Sequence, residues 1–278
     1  MPEQDEFKKT NALCTRSKLP ASDYVINPYV GCTHRCRYCY ACFMGRFTGH
    51  KEPWGTYLEP RQYKSYALPK RLEGKTILIG SVTDAYNPAE HRFCLMPPIL
   101  EALKSSAARV EILTKSSLVL RDMELIRQIP NAAVGISLSN LCSEDNKRIE
   151  PGASSAQERL AALGTLHENG ISTFLFVAPY LPGLTQLGAL AEVAKGSVDY
   201  ICVENLNLRD PYKTDMLALI DALHPELSDL YGEIYLHKGG KAFWQSVEQE
   251  IDALRQVTDI PVISYLYHEK IKKGGKAR

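Results

Sequence analysis

Six short apolar runs, interleaved with stretches of helical periodicity, constrain this 278-residue chain more than any other feature. The runs are Asp23–Pro28, Thr76–Val82, Val110–Thr114, Ala133–Leu138, Ile171–Ala178 and Tyr200–Leu206. The last five read as fully buried, as parallel strands under a layer of helices should. Between them the spacing predicts helices over Pro97–Ala108, Leu118–Ile129, Ser155–Asn169, Leu187–Lys195 and Thr214–Leu223. The third is the clearest. Ser155 and Glu158 form an S-x-x-E capping pattern, Leu160, Leu163 and Leu166 recur at helical spacing, and Gly170 suits the position after the last turn. Strand alternating with helix implies a parallel α/β sheet. Six βα units are too few for an eight-unit barrel, which leaves a partial barrel or an open doubly wound sheet.

In either architecture functional groups belong beyond the C-terminal ends of the strands. Polar residues gather there: Gly31-Cys32 after the first run, Ser81-Val82-Thr83-Asp84 after the second, Thr114-Lys115-Ser116 after the third. Ser137-Leu138-Ser139-Asn140 follows the fourth, and the sixth runs into Glu204-Asn205-Leu206-Asn207.

Composition narrows the class. The chain is 45% apolar and 23% charged with a net charge of +1, an ordinary globular balance. Residues 1–75 carry 13 lysines and arginines against 7 acidic residues, a basic quarter with two readings, attraction of an anionic substrate or simply solvated surface charge. The most apolar stretch, Thr173–Leu184, is too short to cross a bilayer and contains Pro179 and Pro182. Met1–Lys9 is polar and acidic, unlike a signal peptide, so a cytoplasmic protein is expected.

Eight cysteines occur, at Cys14, Cys32, Cys36, Cys39, Cys42, Cys94, Cys142 and Cys202. Without an export signal, metal binding or buried thiols are expected rather than disulfides. Residues 31–42 read Gly-Cys-Thr-His-Arg-Cys-Arg-Tyr-Cys-Tyr-Ala-Cys, a C-x3-C-x2-C spacing with Cys42 beyond it. Thiolates at such spacing select zinc or iron–sulfur clusters. Spacing leaves three readings open: a zinc site completed by Cys42 or His34, a four-thiolate electron-transfer cluster, and a three-cysteine cluster with one open iron.

The motif, with Tyr38 before its third cysteine, resembles the signature of the radical S-adenosylmethionine (SAM) superfamily. Gly80–Glu90, Leu113-Thr-Lys-Ser116, Glu150-Pro-Gly-Ala-Ser-Ser and Ala178-Pro-Tyr-Leu-Pro-Gly-Leu184 are similar to the spore photoproduct lyase-like branch. The resemblance spans about residues 24–210. It implies a partial (β/α)6 TIM-like barrel in which Cys32, Cys36 and Cys39 hold a [4Fe–4S] cluster. SAM would chelate the fourth iron and yield a 5′-deoxyadenosyl radical that abstracts hydrogen from a substrate. It further implies that Tyr38 lies against the adenine, that Ser81, Thr83 and Asp84 surround the methionine ammonium, and that Lys115 pairs with the methionine carboxylate. Ser137 would bond the ribose, and Val177 and Ala178 would offer backbone groups to the adenine. Asp84 has a second reading as the cap of a turn.

On the substrate side, Tyr180, Glu204, Asn205, Asn207 and Arg209 lie at or beyond strand ends. His237 and Lys238 follow Glu233–Leu236, a possible seventh strand. Arg46, His50, Lys51 and Trp54 lie on a segment expected beside the cluster; its basic and aromatic character suits stacking on a nucleotide, and its other, favoured reading is a packed loop. The lyase proper carries a hydrogen-donating cysteine near the end of its second strand. Gly80–Asp84 has none, which argues against DNA repair. The substrate is left as a peptide, nucleotide or small metabolite, with flavodoxin or ferredoxin as electron donor and no membrane. The chain divides into an N-terminal extension (1–22), a core (23–210) and a C-terminal extension completing the same domain (211–278). The competing function is a non-catalytic four-cysteine iron–sulfur or zinc protein that binds a partner or nucleic acid.

Overall fold

Each of the six apolar runs contains a strand, and the strands lie side by side in chain order. The computed structural model describes residues 7–210 and 212–266. Its strands are β1 (Lys8–Thr10), β2 (Thr15–Arg16), β3 (Tyr24–Ile26), β4 (Tyr29–Gly31), β5 (Leu58–Tyr63), β6 (Thr76–Ile79), β7 (Arg109–Thr114), β8 (Ala132–Ser137), β9 (Ser172–Tyr180), β10 (Tyr200–Asn205) and β11 (Val262–Ser264). Its α-helices are α1 (Glu90–Phe93), α2 (Met96–Leu103), α3 (Met123–Arg127), α4 (Ser143–Ile149), α5 (Ala156–Glu168), α6 (Leu187–Ala194), α7 (Tyr212–Leu223), α8 (Ser228–Tyr235) and α9 (Gly240–Val257).

The main sheet runs β11-β10-β9-β8-β7-β6-β3-β2, parallel from β3 to β11, with β2 antiparallel at one edge. A doubly wound sheet reverses its strand order at a switch point. Here the order never reverses. Crossovers of one hand therefore wind every helix onto the same face, and the sheet is an open barrel wall. Ile77, Ile79, Val110, Ile112, Val134, Ile136, Leu175 and Val177 are wholly buried and face that helical layer. Strand alternation sends Ala133, Phe174 and Cys202 to the opposite, concave face, where they form a separate cluster with Phe176, Tyr200 and Tyr265.

Two expectations change. Glu233–Leu236 is not a strand: it ends helix α8, whose Tyr231 and Ile234 recur at helical spacing on the buried side. The seventh parallel strand is Val262–Ser264 instead. The cysteine loop also does not leave the first core strand directly. After β3 the chain steps out to β4, which pairs with β5 and through it with β1 in a small second sheet. Cys32 follows from β4.

Candidate active site

Four segments distant in sequence meet around the cysteine loop. Gly31 turns the chain into it with φ +88°, and a Cβ there would lie 2.3 Å from the Tyr57 carbonyl oxygen, so only glycine fits. The Thr83 hydroxyl, beyond β6, donates to the Gly31 carbonyl at 2.6 Å. Thr33 donates to Asn87 Oδ1 at 3.0 Å, and Tyr40 donates to the Ser81 carbonyl. On the other side the segment after α4 grips the loop through its backbone. Arg37 N–H donates to the Ile149 carbonyl at 2.9 Å, and Gly152 N–H donates to the His34 carbonyl at 2.9 Å. A Cβ on Gly152 would meet the Thr33 carbonyl oxygen at 2.5 Å.

The loop presents Cys32, Cys36 and Cys39 half-buried. Burial, then Asp84 and Cys39, pushes the Cys32 thiol up to about 12. Burial also raises Cys36, which feels both Cys39 and Cys32, and Cys39. Cys39 thus acts on both Cys32 and Cys36, and Cys32 on Cys36. Cys42, three residues on, also feels Cys39, and its Sγ donates to the Tyr40 carbonyl at 3.8 Å. Among the described residues, no group of three or more His, Cys, Asp or Glu side chains is arranged to hold a metal ion as it stands. The fit to a cluster rests on the donor set, three half-buried thiols on one short loop. Such thiols become ligands by losing the protons that burial now holds on them.

Beneath the loop lies a charged network that sequence reading did not assemble. Arg159 of α5, 0% exposed, pairs through Nη2 with Glu150 Oε2 at 2.6 Å. It also donates from Nε to the Ser154 carbonyl at 2.7 Å and from Nη1 to the Ser137 carbonyl at 2.9 Å. The Tyr38 hydroxyl donates to Glu150 Oε1. Burial opposes the charge of Glu150, yet Arg159 and Lys115 hold its carboxyl below the usual range. Burial likewise works against the Lys115 ammonium, and Glu150, Cys36 and Asp84 keep it raised, 5.8 Å from the Tyr38 ring centroid. His34 is buried inside the same assembly with neither ring nitrogen hydrogen-bonded, its Nδ1 3.6 Å from Asp84 Oδ2. Burial pushes its imidazole down.

The structure brings Tyr38, Ser81, Thr83, Asp84, Lys115 and Ser137 to one rim with the three cysteines. Asp84 accepts from Tyr86 N–H at 2.8 Å, Thr114 hydroxyl at 2.7 Å and Lys115 N–H at 2.7 Å, so its carboxylate ties two strand ends together. Ser81 exchanges hydrogen bonds with the Asn27 side chain. Val177 and Ala178 lie near the end of β9.

Substrate-side residues scatter more. Tyr180 donates to Glu250 of α9 at 2.8 Å and packs on Phe243 and Trp244, so it belongs to the wall. Glu204 and Arg209 both act on the Tyr40 hydroxyl, which places them beside the loop. Asn205 Oδ1 is buried without a partner, and Asn207 is half-buried nearby in sequence. Arg46 lies over the Phe47 ring at 4.6 Å, and His50 stacks on Tyr57 at 3.9 Å. Lys51 is exposed, whereas Trp54 is buried. His237 and Lys238 are exposed beyond α8. A cavity of about 520 Å³ opens at the opposite, N-terminal ends of the strands, lined by Lys75, Arg109, Asn131 and Ser172, remote from the thiols.

A parallel, sequentially ordered α/β wall with its reactive side chains at the C-terminal rim is an enzyme architecture. The family model described as the radical SAM superfamily matches residues 26–188, and the chain belongs to that superfamily. Its partial barrel is the one expected from the sequence. An uncharacterized protein of Methanocaldococcus jannaschii is 37% identical over 194 residues, covering 69% of this chain and 74% of its own. An uncharacterized protein of Mycobacterium tuberculosis is 32% identical over 228 residues, covering 76% and 67%. Among solved structures, spore photoproduct lyase complexed with dinucleoside spore photoproduct superposes with a TM-score of 0.54 at 20% identity, covering 77% of this chain and 64% of that one. This chain therefore spans somewhat under two thirds of the lyase. Members of the superfamily bring SAM and an iron–sulfur cluster together. Among the described residues no helix is long and apolar enough to cross a membrane.

Proposed function

We propose that Cys32, Cys36 and Cys39 hold a [4Fe–4S] cluster with one iron open to SAM. The observation that carries this is the set of three half-buried thiols, Cys32, Cys36 and Cys39, gathered on one short loop beside Asp84 and Lys115. The bound pair would supply reductive cleavage of SAM to methionine and a 5′-deoxyadenosyl radical. The chain's own residues then bind and orient. Lys115, kept charged by Glu150, offers a point charge to the methionine carboxylate. Ser81, Thr83 and Asp84 form the polar wall beside the methionine ammonium, with Asp84 lending its negative charge while capping the turn. Tyr38, its hydroxyl fixed by Glu150, presents its ring to the adenine. Val177 and Ala178 offer backbone groups to the adenine, and Ser137 bonds the ribose. Glu204, Asn205, Asn207 and Arg209 face the substrate.

The substrate is a peptide, nucleotide or small metabolite, and the electron donor a flavodoxin or ferredoxin in a cytoplasmic setting. The lyase's dinucleoside ligand makes a nucleotide one class to try; the radical SAM Nα-GlyT isomerase of Pseudomonas phage M6, 26% identical over 161 residues, shows the other breadth of such chemistry. Residues 23–210 form the SAM-binding core, with 1–22 an extension and 211–278 completing the same domain.

Anaerobic reconstitution with dithionite and SAM is expected to release 5′-deoxyadenosine. Cys32→Ala, Cys36→Ala and Cys39→Ala should abolish it, and Cys42→Ala should leave it and the cluster content intact. Loss of the cluster in Cys42→Ala would establish four-thiolate ligation and end this reading. Deuterium passing from a candidate substrate into 5′-deoxyadenosine then identifies the substrate class.

A further inference from the structure

Trp54 is 8% exposed, and its indole nitrogen is buried without a completed hydrogen bond. Tryptophan donates and cannot accept, so this N–H has no second way to be satisfied. Leaving such a donor unmade is costly, and each instance in a folded protein calls for a reason. A sulfur lies beside this donor: the Trp54 side chain acts on the Cys39 thiol, short of a completed hydrogen bond. Cys39 and Cys42 pack against the apolar cluster of Val30, Ala41, Trp54 and Tyr57.

The indole is held in place from three directions. Its ring meets Tyr57 edge-on at 5.8 Å. The Tyr212 hydroxyl, from α7, donates to the Trp54 carbonyl, and Thr56 N–H closes a turn onto the Pro53 carbonyl at 3.1 Å. A neutral thiol is a weak acceptor, but an iron-bound thiolate carries charge and makes a stronger bond. Hydrogen bonds to cluster sulfurs raise the reduction potential by stabilising the more negative, reduced state.

Resting on the ligand set proposed above, we infer that the Trp54 indole N–H donates to the Cys39 sulfur once that sulfur binds iron, and thereby sets the cluster's reduction potential. Trp54 is a positioning and tuning residue and touches no substrate. Its test uses the reconstituted full chain without SAM. Trp54→Phe keeps the ring and removes the donor. It should retain iron and sulfide content while the equilibrium constant for one-electron reduction falls about tenfold, about 59 mV more negative for such a couple. Tyr57→Phe, which deletes a hydroxyl bonded to Thr48 rather than to sulfur, should leave the potential unchanged.

A second measurement stands even if Trp54→Phe loses its cluster. The chain has two tryptophans, so indole-15N labelling of Trp244→Phe leaves Trp54 as the labelled indole. The reduced cluster should then show a 15N hyperfine coupling and an exchangeable proton coupling. An unshifted Trp54→Phe potential, an equal shift in Tyr57→Phe, or absent 15N coupling overturns the inference. A wild-type chain with no [4Fe–4S] signal instead overturns the ligand set, and the inference with it.

Discussion

Arg159 and Glu150 share a site that water does not reach, so neither charge can be removed alone without stranding the other. Arg159→Met should destabilise the fold by about 3–5 kcal/mol in urea unfolding, because a buried carboxylate loses its partner. Replacing both charges with apolar groups should cost less than the single change, and the double-mutant cycle measures the difference. Gly152→Ala tests the grip on the cysteine loop. The new methyl group would collide with the Thr33 carbonyl oxygen and His34 Cα, which are backbone atoms that cannot rotate away. The reconstituted protein should therefore lose iron while its circular dichroism stays unchanged. At this scale the sequence announced the cysteines, since their spacing is local. It did not announce the network, because Tyr38 and Glu150 meet across 112 positions. Asp84 was legible as a polar strand end, but only the fold shows that three hydrogen bonds already occupy its carboxylate.

Among the elements, α5 illustrates what local chemistry determines. Ser155 Oγ accepts from Glu158 N–H, and the Glu158 carboxylate accepts in turn from Ser155 N–H, so the capping box read from the sequence is formed as expected. Ser155→Ala should cost about 1 kcal/mol of stability by thermal or urea unfolding. A second tether joins α4 to the end of α7: His224 Nε2 lies 2.8 Å from Asp145 Oδ1. The Asp145 hydrogen bond raises the His224 imidazole above its ordinary value. Its stabilisation is fully present below the unfolded value near 6.5. It fades as pH rises through the raised folded value. Wild type should thus lose stability across that window relative to His224→Gln, whose stability profile should be flatter there. The elements missed from sequence are those whose partners are not local. β4 has three residues, and β5, which carries Glu59, Pro60, Arg61 and Gln62 rather than an apolar run, pairs with it outside the main sheet. Glu233–Leu236 has the composition of a strand, but Tyr231 and Ile234 turn its buried side to helical spacing.

For the whole molecule, strand order was the decisive property that no single segment carries. The apolar runs located the strands, yet only their unreversed sequence across the sheet separates a barrel wall from a doubly wound sheet. Hydrogen exchange should follow that order. Amides of β7, β8 and β9, flanked on both sides, should be the slowest, and those of β2 and β11, at the two edges, the fastest. The bond from Tyr212 to the Trp54 carbonyl bears on how the protein is made. Donor and acceptor are 158 positions apart. At a translation speed of roughly 5–20 residues per second, the cysteines leave the ribosome roughly 9 to 35 s before the tyrosine that braces their neighbour. The cysteine loop's neighbour is therefore unbraced until α7 has been made, and the cluster proposed above is expected to be loaded only after synthesis ends.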